Sequence, residues 1–145
     1  MALTFRAYGT PGPQGSKRHV GNGVMIESSA KVRPWRQAVK YAALDFIAAG
    51  NPIVGPVRVD IRFLLARPKS HYRTGKNAGL LRDSAPLWPA VKPDVDKLLR
   101  STLDALGEAG VWKDDAQVVG VAVWKAYADA TVPGAEIHVE SMRER

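Results

Sequence analysis

The chain of 145 residues contains no cysteine. Disulfide bonds, thiolate zinc sites and cysteine nucleophiles are therefore excluded. No apolar run approaches the roughly 18 residues that a bilayer-spanning helix needs, so we expect no membrane partner. The opening residues, MALTFRAYGTPGP, lack the basic segment and apolar run of a secretory signal. We therefore expect a cytoplasmic protein.

Acidic residues are in the minority. Asp and Glu number 14 against 21 Lys and Arg, which gives a net charge of +7 and a pI of about 9.9. Such an excess favours polyanionic partners, nucleic acid among them, although a generically basic protein has the same composition. The length fits one domain, residues 1–145, with enough chain to bury a core.

Hydrophobic periodicity predicts the secondary structure. Alternating apolar residues indicate strands, and apolar residues three and four apart indicate helices. The predicted strands are 3–8, 57–65, 117–126 and 135–140, with a hairpin near 21–26, and the predicted helices are 34–49 and 93–106. The order β, hairpin, α, β, long loop, α, β, β predicts a single compact α/β domain with a small mixed sheet and two main helices. The strand at 117–126 is apolar on both faces, which is typical of a central strand or a subunit contact.

Two loops concentrate basic residues. The segment 9–18 is rich in Gly and Pro and ends in Lys17 and Arg18, but it lacks the GxxxxGK[ST] spacing of a nucleotide-binding P-loop. The segment 66–91 has no visible period and includes Arg67, Lys69 and Arg73. A loop of this length in a small domain is functional or disordered. Both loops are candidates for contact with a phosphate backbone, and a solvated surface is the alternative.

Five aspartates are concentrated between residues 92 and 125 of this basic chain, and we expect one of them, Asp104, to be an exposed helix residue and not a ligand. Asp94 and Asp96 precede an apolar helical run, and Asp114 and Asp115 precede an apolar strand. Carboxylate oxygens are the ligands that Mg²⁺ prefers, and cations nearby bind phosphates. Together they indicate metal-assisted hydrolysis of a phosphodiester, with Arg100 placed to bind a phosphate.

The alternative interpretation of these aspartates is structural. Aspartate is a good helix N-cap and complements the positive end of the helix dipole. The pair Asp114 and Asp115 would then form a solvated turn.

A resemblance bears on this choice. The run KPDVDKLLRSTLDAL, followed by GVWKDDAQVV and Lys125, resembles the RusA family of Holliday junction resolvases. The family pattern is a D-x-D that opens a helix, a downstream D-A-L, and a D-D-x-Q-V that enters a strand. These motifs cover about a quarter of the chain in the family order. The loop 9–18 is also compatible with the family.

The resemblance implies a RusA-like fold and a magnesium site at Asp94, Asp96 and Asp115, with Mn²⁺ as the other candidate ion. Asp114 would lie beside it. The family has a catalytically important lysine four residues after the second aspartate, where this chain has Arg100. Arginine keeps the charge but does not readily release a proton, so we expect it to bind phosphate. Contacts with DNA are expected from basic residues of the loops, helix and strand: Lys17, Arg18, Arg67, Lys69, Arg73, Lys97 and Lys125. For Lys125 the alternative is support of Asp115.

The function implied by the resemblance is that of a homodimeric, Mg²⁺-dependent endodeoxyribonuclease of a bacterium or phage-infected cell. It would resolve four-way DNA junctions by paired nicks in recombination and repair. Two alternatives keep the fold: a nuclease that acts on other branched phage DNA, and a catalytically silent protein that binds branched DNA. A small RNA-binding module is disfavoured, because the chain has no aromatic-glycine RNP pattern.

Overall fold

A four-stranded mixed sheet with two helices forms one α/β domain, as predicted. The computed structural model describes residues 2–15, 17–19, 21–22, 25–27, 30–47 and 52–142. The strands are β1 (Ala2–Tyr8), β2 (Lys17–His19), β3 (Met25–Glu27), β4 (Val57–Leu65), β5 (Val118–Tyr127) and β6 (Gly134–Ser141), and the helices are α1 (Val32–Ile47) and α2 (Val95–Ala109).

The main sheet has the order β1-β6-β4-β5. Strand β4 pairs with β5 in parallel and with β6 antiparallel, and β6 also pairs antiparallel with β1. The parallel pair requires a crossover, and α2 lies within it. Strands β2 and β3 form a separate antiparallel hairpin.

The core forms because apolar and polar residues alternate along β4 from Val57 to Phe63, and the strand ends in Leu64 and Leu65, which are both buried. Its residues Val57, Val59, Ile61, Phe63 and Leu65 are buried, whereas Arg58 and Arg62 are exposed. Both helices contribute buried side chains to the same cluster, including Trp35, Val39, Leu98 and Leu106. The indole N–H of Trp35 donates to the Thr102 hydroxyl at 3.0 Å, which satisfies two buried polar groups where the helices meet.

The structure corrects three of the predicted details. Helix α2 begins after Pro93, with Asp94 as its N-cap, and continues through Gly107, which the sequence had placed at its end. Helix α1 begins two residues before Pro34. Strand β5 is at an edge of the sheet and is not central.

The loop 66–91 is ordered along its whole length. It contains 3₁₀ turns at Lys69–His71 and Gly75–Asn77 and a bridge between Tyr72 and Leu81. No helix in the described ranges is both long and apolar enough to cross a membrane.

Arg67 anchors this loop to the sheet. Its side chain is only 3% exposed and its Nε lies 2.5 Å from Oδ1 of Asp129. The guanidinium stacks over the ring of Tyr127 at 4.1 Å and donates to the carbonyl of Pro86 at 2.7 Å. The hydrogen bond from Arg67 lowers the pKa of Asp129 below its ordinary value, and the same bond raises the pKa of Arg67. These contacts hold both ends of the loop.

Acidification should therefore loosen the loop. Because the folded pKa of Asp129 is lowered, the pair stabilises the fold above the unfolded pKa of about 3.9 and stops doing so as pH falls through the folded value. Asp129→Asn should reproduce this loss at neutral pH. Asp129 is partly exposed, so we expect a cost of about 1 kcal/mol, which is about fivefold more local opening. Hydrogen exchange of residues 66–91 measures it.

Asp83→Asn is the matched control. Asp83 also pairs with an arginine of this loop, Arg73, at 3.1 Å, but its side chain is 99% exposed. Equal acceleration of exchange in both variants would contradict the anchoring role of Arg67 and Asp129.

Candidate functional site

Asp94 occupies the N-cap position of α2, but its side chain does not cap the helix. Its backbone is extended, with φ −70° and ψ 140°, and its side chain makes no capping hydrogen bond. The nearest cation is the Lys97 ammonium, 3.9 Å from Oδ2. Asp96, in the first helical turn, is exposed and has no hydrogen bond or ion pair to any residue that the structure describes. The capping alternative therefore does not account for either carboxylate.

Lys125 fixes the chain that leads into this helix. Its ammonium donates to the carbonyls of Val91 at 2.7 Å and Pro93 at 2.9 Å. Lys125 thus lies beside Asp94, near the end of β5. Both hydrogen bonds of Lys125 go to these carbonyls, and Asp115 lies ten residues earlier in the chain, before the start of β5. Support of Asp115 by Lys125 stays a prediction.

Asp115 lies against the other end of α2. Its Oδ1 accepts from the indole N–H of Trp112 at 3.0 Å, and Trp112 is almost completely buried. A Cβ on Gly107 would come within 2.6 Å of the same oxygen. The position of Asp115 therefore depends on the missing side chain at Gly107.

Asp114 has the structural role that the alternative interpretation predicted. Its side chain accepts from the backbone N–H of Ala116 at 2.8 Å, and Gln117 Oε1 accepts from the N–H of Asp114 at 2.9 Å. This reciprocal capping box closes the 3₁₀ turn Asp115–Gln117. Gln117 also donates to the carbonyls of Ile53 and Gly55, which ties the turn to the start of β4.

A single chain does not bring the three predicted metal ligands together. Asp96 and Gly107 are eleven residues apart on one helix, which separates them by about 16 Å along its axis. No group of three or more Asp, Glu, His or Cys side chains in the described ranges is close enough to hold a metal ion. Asp94 and Asp96 form an acidic pair that fits part of a coordination shell, and Asp115 lies elsewhere. Their role as ligands stays a prediction.

The glycine-rich loop lies along α2, beside this pair. Gln14 donates from its backbone to the carbonyl of Lys97 at 3.0 Å and from its side chain to Asp104 at 2.6 Å. A Cβ on Gly15 would lie 3.4 Å from a guanidinium nitrogen of Arg100. Arg100 is exposed, so its charge faces solvent one turn beyond Asp96. Asp104 is partly buried and accepts a hydrogen bond from Gln14, so it is less exposed than the sequence predicts.

The predicted DNA-binding residues differ in availability. The backbone of Lys17 and Arg18 forms β2, and their side chains lie outside the described part. Lys69 is exposed, and Arg73 is paired with Asp83. Arg67 is buried by its contacts with Asp129 and Tyr127, so this structure gives it no surface for DNA.

Sequence reasoning missed the residues that position the aspartates. Trp112 orients Asp115, Gly107 makes room for it, and Gln14 connects the glycine-rich loop to α2. Gly107 carried a signal, because glycine inside an amphipathic helix indicates close approach by another group, but it was interpreted as a helix end.

An acidic pair at a helix N-terminus, beside Lys and Arg, is compatible with the class of proteins that act on phosphodiesters. Comparison with known proteins defines the family. The family model "Endodeoxyribonuclease RusA" matches residues 9–140. The chain is also 34% identical over 134 residues to the uncharacterized protein YqaN of Bacillus subtilis (strain 168), covering 88% of this chain and 89% of that relative. The chain belongs to the RusA endodeoxyribonuclease family, and this membership makes it a nuclease whose substrate is DNA.

Substitution of Gly107 tests the placement of Asp115. Alanine normally stabilises a helix interior by about 1 kcal/mol relative to glycine. Here the new Cβ would meet Asp115 and the indole nitrogen of Trp112 at 2.6 and 3.1 Å. Gly107→Ala should therefore lose the Trp112–Asp115 hydrogen bond and lower the free energy of unfolding by about 1 kcal/mol. Urea denaturation and the indole N–H resonance of Trp112 measure this.

Gly79→Ala is the control, because a Cβ there meets no atom within 4 Å. A full helix-propensity gain in Gly107→Ala, with an unchanged Trp112 resonance, would contradict the contact.

Proposed function

We propose that the protein is a Mg²⁺-dependent, structure-selective endodeoxyribonuclease that resolves Holliday junctions by paired nicks. The observation that carries the proposal is the pair Asp94 and Asp96, whose carboxylates serve no capping role at the start of α2. Family membership supports the same conclusion. The proposed place of action is the cytoplasm of a bacterial or phage-infected cell.

The proposal assigns three roles to the site. Asp94, Asp96 and Asp115 would hold the cation, which when bound polarises a phosphoryl oxygen and acidifies water. Arg100 would bind a phosphate, since a guanidinium retains its proton. Lys97 and Lys125 would neutralise phosphates next to the cut, and Lys17, Arg18, Lys69 and Arg73 would contact the arms. Arg67 could contact DNA only after the loop rearranged.

A homodimer supplies what one chain lacks. Asp115 lies about 16 Å from Asp96 along α2, so a metal site with all three aspartates requires a carboxylate from a second copy. Strand β5 offers the surface for this contact. It is an edge strand whose outer side pairs with no described strand, and its residues Val119 and Val121 are 63% and 45% exposed.

An antiparallel pairing of two β5 strands, centred on Gly120, would cover the exposed strand edge and would also supply a carboxylate from the second copy. Val119 of one copy would then lie opposite Val121 of the other, which covers exposed apolar area. In the same register the 3₁₀ turn that carries Asp115, just before β5 of one copy, would face the end of β5 that carries Lys125 in the other, across strands about 4.8 Å apart. Since Lys125 is bonded to the carbonyl before Asp94, this pairing takes Asp115 to the acidic pair of its neighbour. Two-fold symmetry also suits a junction with two equivalent strands.

Neutralising any ligand should abolish cutting and leave binding intact. We expect Asp94→Asn, Asp96→Asn and Asp115→Asn each to lower the rate of nicking of a labelled four-way junction by at least about 100-fold with Mg²⁺. Junction affinity should change little or rise, because each substitution removes a negative charge near phosphates. Asp114→Asn is the matched control and should keep most activity.

Other outcomes separate the alternatives. Full activity in all three variants would contradict the site assignment. Tight, salt-sensitive binding without any Mg²⁺-dependent product in the unmodified protein would indicate a silent DNA-binding protein, with Arg100→Lys as the next test. Preferential cutting of flaps or forks would indicate a nuclease for other branched DNA.

Mixing two inactive variants tests the dimer. A dimer of one Asp96→Asn and one Asp115→Asn chain has one intact site only if the aspartates combine between copies. Refolding an equal mixture should restore about a quarter of the nicking, from half the dimers with one site each. Each variant alone should stay inactive.

A cysteine crosslink gives a second measurement. The chain has no cysteine, and a Cβ at Gly120 meets nothing within 4 Å. Gly120→Cys should give a covalent dimer on oxidation or with a short bismaleimide, whereas Tyr41→Cys should not, because Tyr41 is exposed on α1, which packs against β1 at the opposite edge of the sheet. No restored nicking and no crosslink would contradict the β5 pairing, while nicking by the unmodified protein would still support the proposed function.

A further inference from the structure

A cleft of about 580 Å³ opens beside Asp94. A cation held by Asp94 and Asp96 would occupy only a small part of this volume. The glycine-rich loop, the end of β4 and the segment before α2 form its walls. Six prolines line it: Pro11, Pro13, Pro68, Pro89, Pro93 and Pro133. We refer to it as the proline cleft. Its volume lies within the range of small-molecule pockets, about 300–1,000 Å³.

The walls of the proline cleft are largely apolar, and the side chains that can donate hydrogen bonds there are Thr10, Tyr127 and three lysines. Proline has no backbone N–H, and Leu65 and Tyr127 add buried apolar surface. The charged groups at the cleft are Asp94 and three lysines, Lys31, Lys92 and Lys97. Such a cavity suits a flat, largely apolar group that carries acceptors and is attached to an anion.

The cleft is held in shape without a ligand. Tyr127 is covered by the guanidinium of Arg67 at 4.1 Å, and Arg67 is held by Asp129. The Lys125 ammonium fixes Val91 and Pro93 by their carbonyls. A site with rigid walls binds without a large ordering cost.

We infer that the proline cleft binds one unstacked nucleotide of the DNA strand that is cut, with its base among the prolines and its phosphate at the lysines. The inference rests on the proposed function and adds a recognition site to it. Asp94 borders both the cleft and the acidic pair, so the captured nucleotide flanks the scissile phosphate. A nucleobase with its sugar phosphate combines the flat face, the acceptors and the anion that the cleft suits.

This placement links cutting to branched structure. Removing a base from an intact duplex costs a few kcal/mol, and the cost is least where pairing and stacking are already interrupted. Nucleotides at a branch point meet that condition. Intact duplex DNA would contact the acidic pair only after one nucleotide is unstacked, which costs free energy. Nucleotides at a branch point would contact it at almost no unstacking cost. The selectivity then comes from the cleft and not from the aspartates.

The test combines a change in the cleft with a change in the DNA. Ala66 and Ala30 are exposed residues that line the cleft from different segments, so Ala66→Phe and Ala30→Phe should fill it. Ala90→Phe is the control, because Ala90 is exposed in the same loop but does not line the cleft. Binding to a four-way junction is measured in the Asp96→Asn background, which prevents cutting. Abasic sites are scanned through the nucleotides around the branch.

We expect Ala66→Phe and Ala30→Phe to weaken junction binding about tenfold, the effect of losing one base contact, and Ala90→Phe to leave it unchanged. One abasic position should weaken binding of the unfilled protein by the same factor and have no further effect in the filled variants. Cutting rates in the active background should follow the same pattern, and duplex binding should not change.

Two results would overturn the inference. One is a further loss of junction affinity in the filled variants at every abasic position, and the other is full junction affinity in both filled variants. If the protein still nicks junctions in that case, the proposed nuclease function stands and only the cleft assignment fails. If the unmodified protein binds no branched DNA, both are overturned.

Discussion

Helix α2 is the rigid connection on which the candidate site depends. It presents Asp94 and Asp96 at its first turn and contacts Asp115 at its last, and a regular helix fixes the distance between its ends. It also forms one wall of the core through Leu98, Ala105 and Leu106. A shift of the helix would therefore disturb the core and both parts of the acidic set together. A small local adjustment within one chain therefore cannot bring the three carboxylates together.

The sheet and the helices could be predicted largely from the sequence. Strand β4 was predicted at its exact bounds, because apolar residues alternate with Arg58, Asp60 and Arg62 through most of its length. Helix boundaries were less certain. The apolar stripe predicts that the helix ends at Leu106. In the structure the helix continues through Gly107, whose missing side chain leaves space for Asp115, a residue outside the helix. A glycine after an apolar stripe indicates a helix C-terminus, but a glycine within a helix also occurs where another group approaches the backbone closely.

The candidate site was predicted in composition more than in arrangement. The sequence predicts Asp94, Asp96 and Asp115 as ligands, which stays a prediction, and spacing along the chain does not reveal that α2 holds Asp115 apart from the other two. The roles of Asp94 and Asp114 were also indistinguishable in sequence, since each precedes a helical turn. Only the side-chain geometry separates them: Asp114 accepts a backbone N–H and Asp94 does not. The edge position of β5 depends on the strand order, which a single strand's pattern does not contain.

The contact of the enclosed Arg67 side chain with Asp129 affects how the basic composition is interpreted. Affinity for DNA depends on the number of counterions released, and only cations that reach phosphates release them. Arg67 is enclosed, while Arg36 and Lys40 both contact Glu108 on the protein surface. Several of the 21 basic side chains thus serve the fold and do not reach a polyanion. Binding to DNA would therefore release fewer counterions than the number of basic residues suggests. The affinity for DNA would depend correspondingly less on the salt concentration.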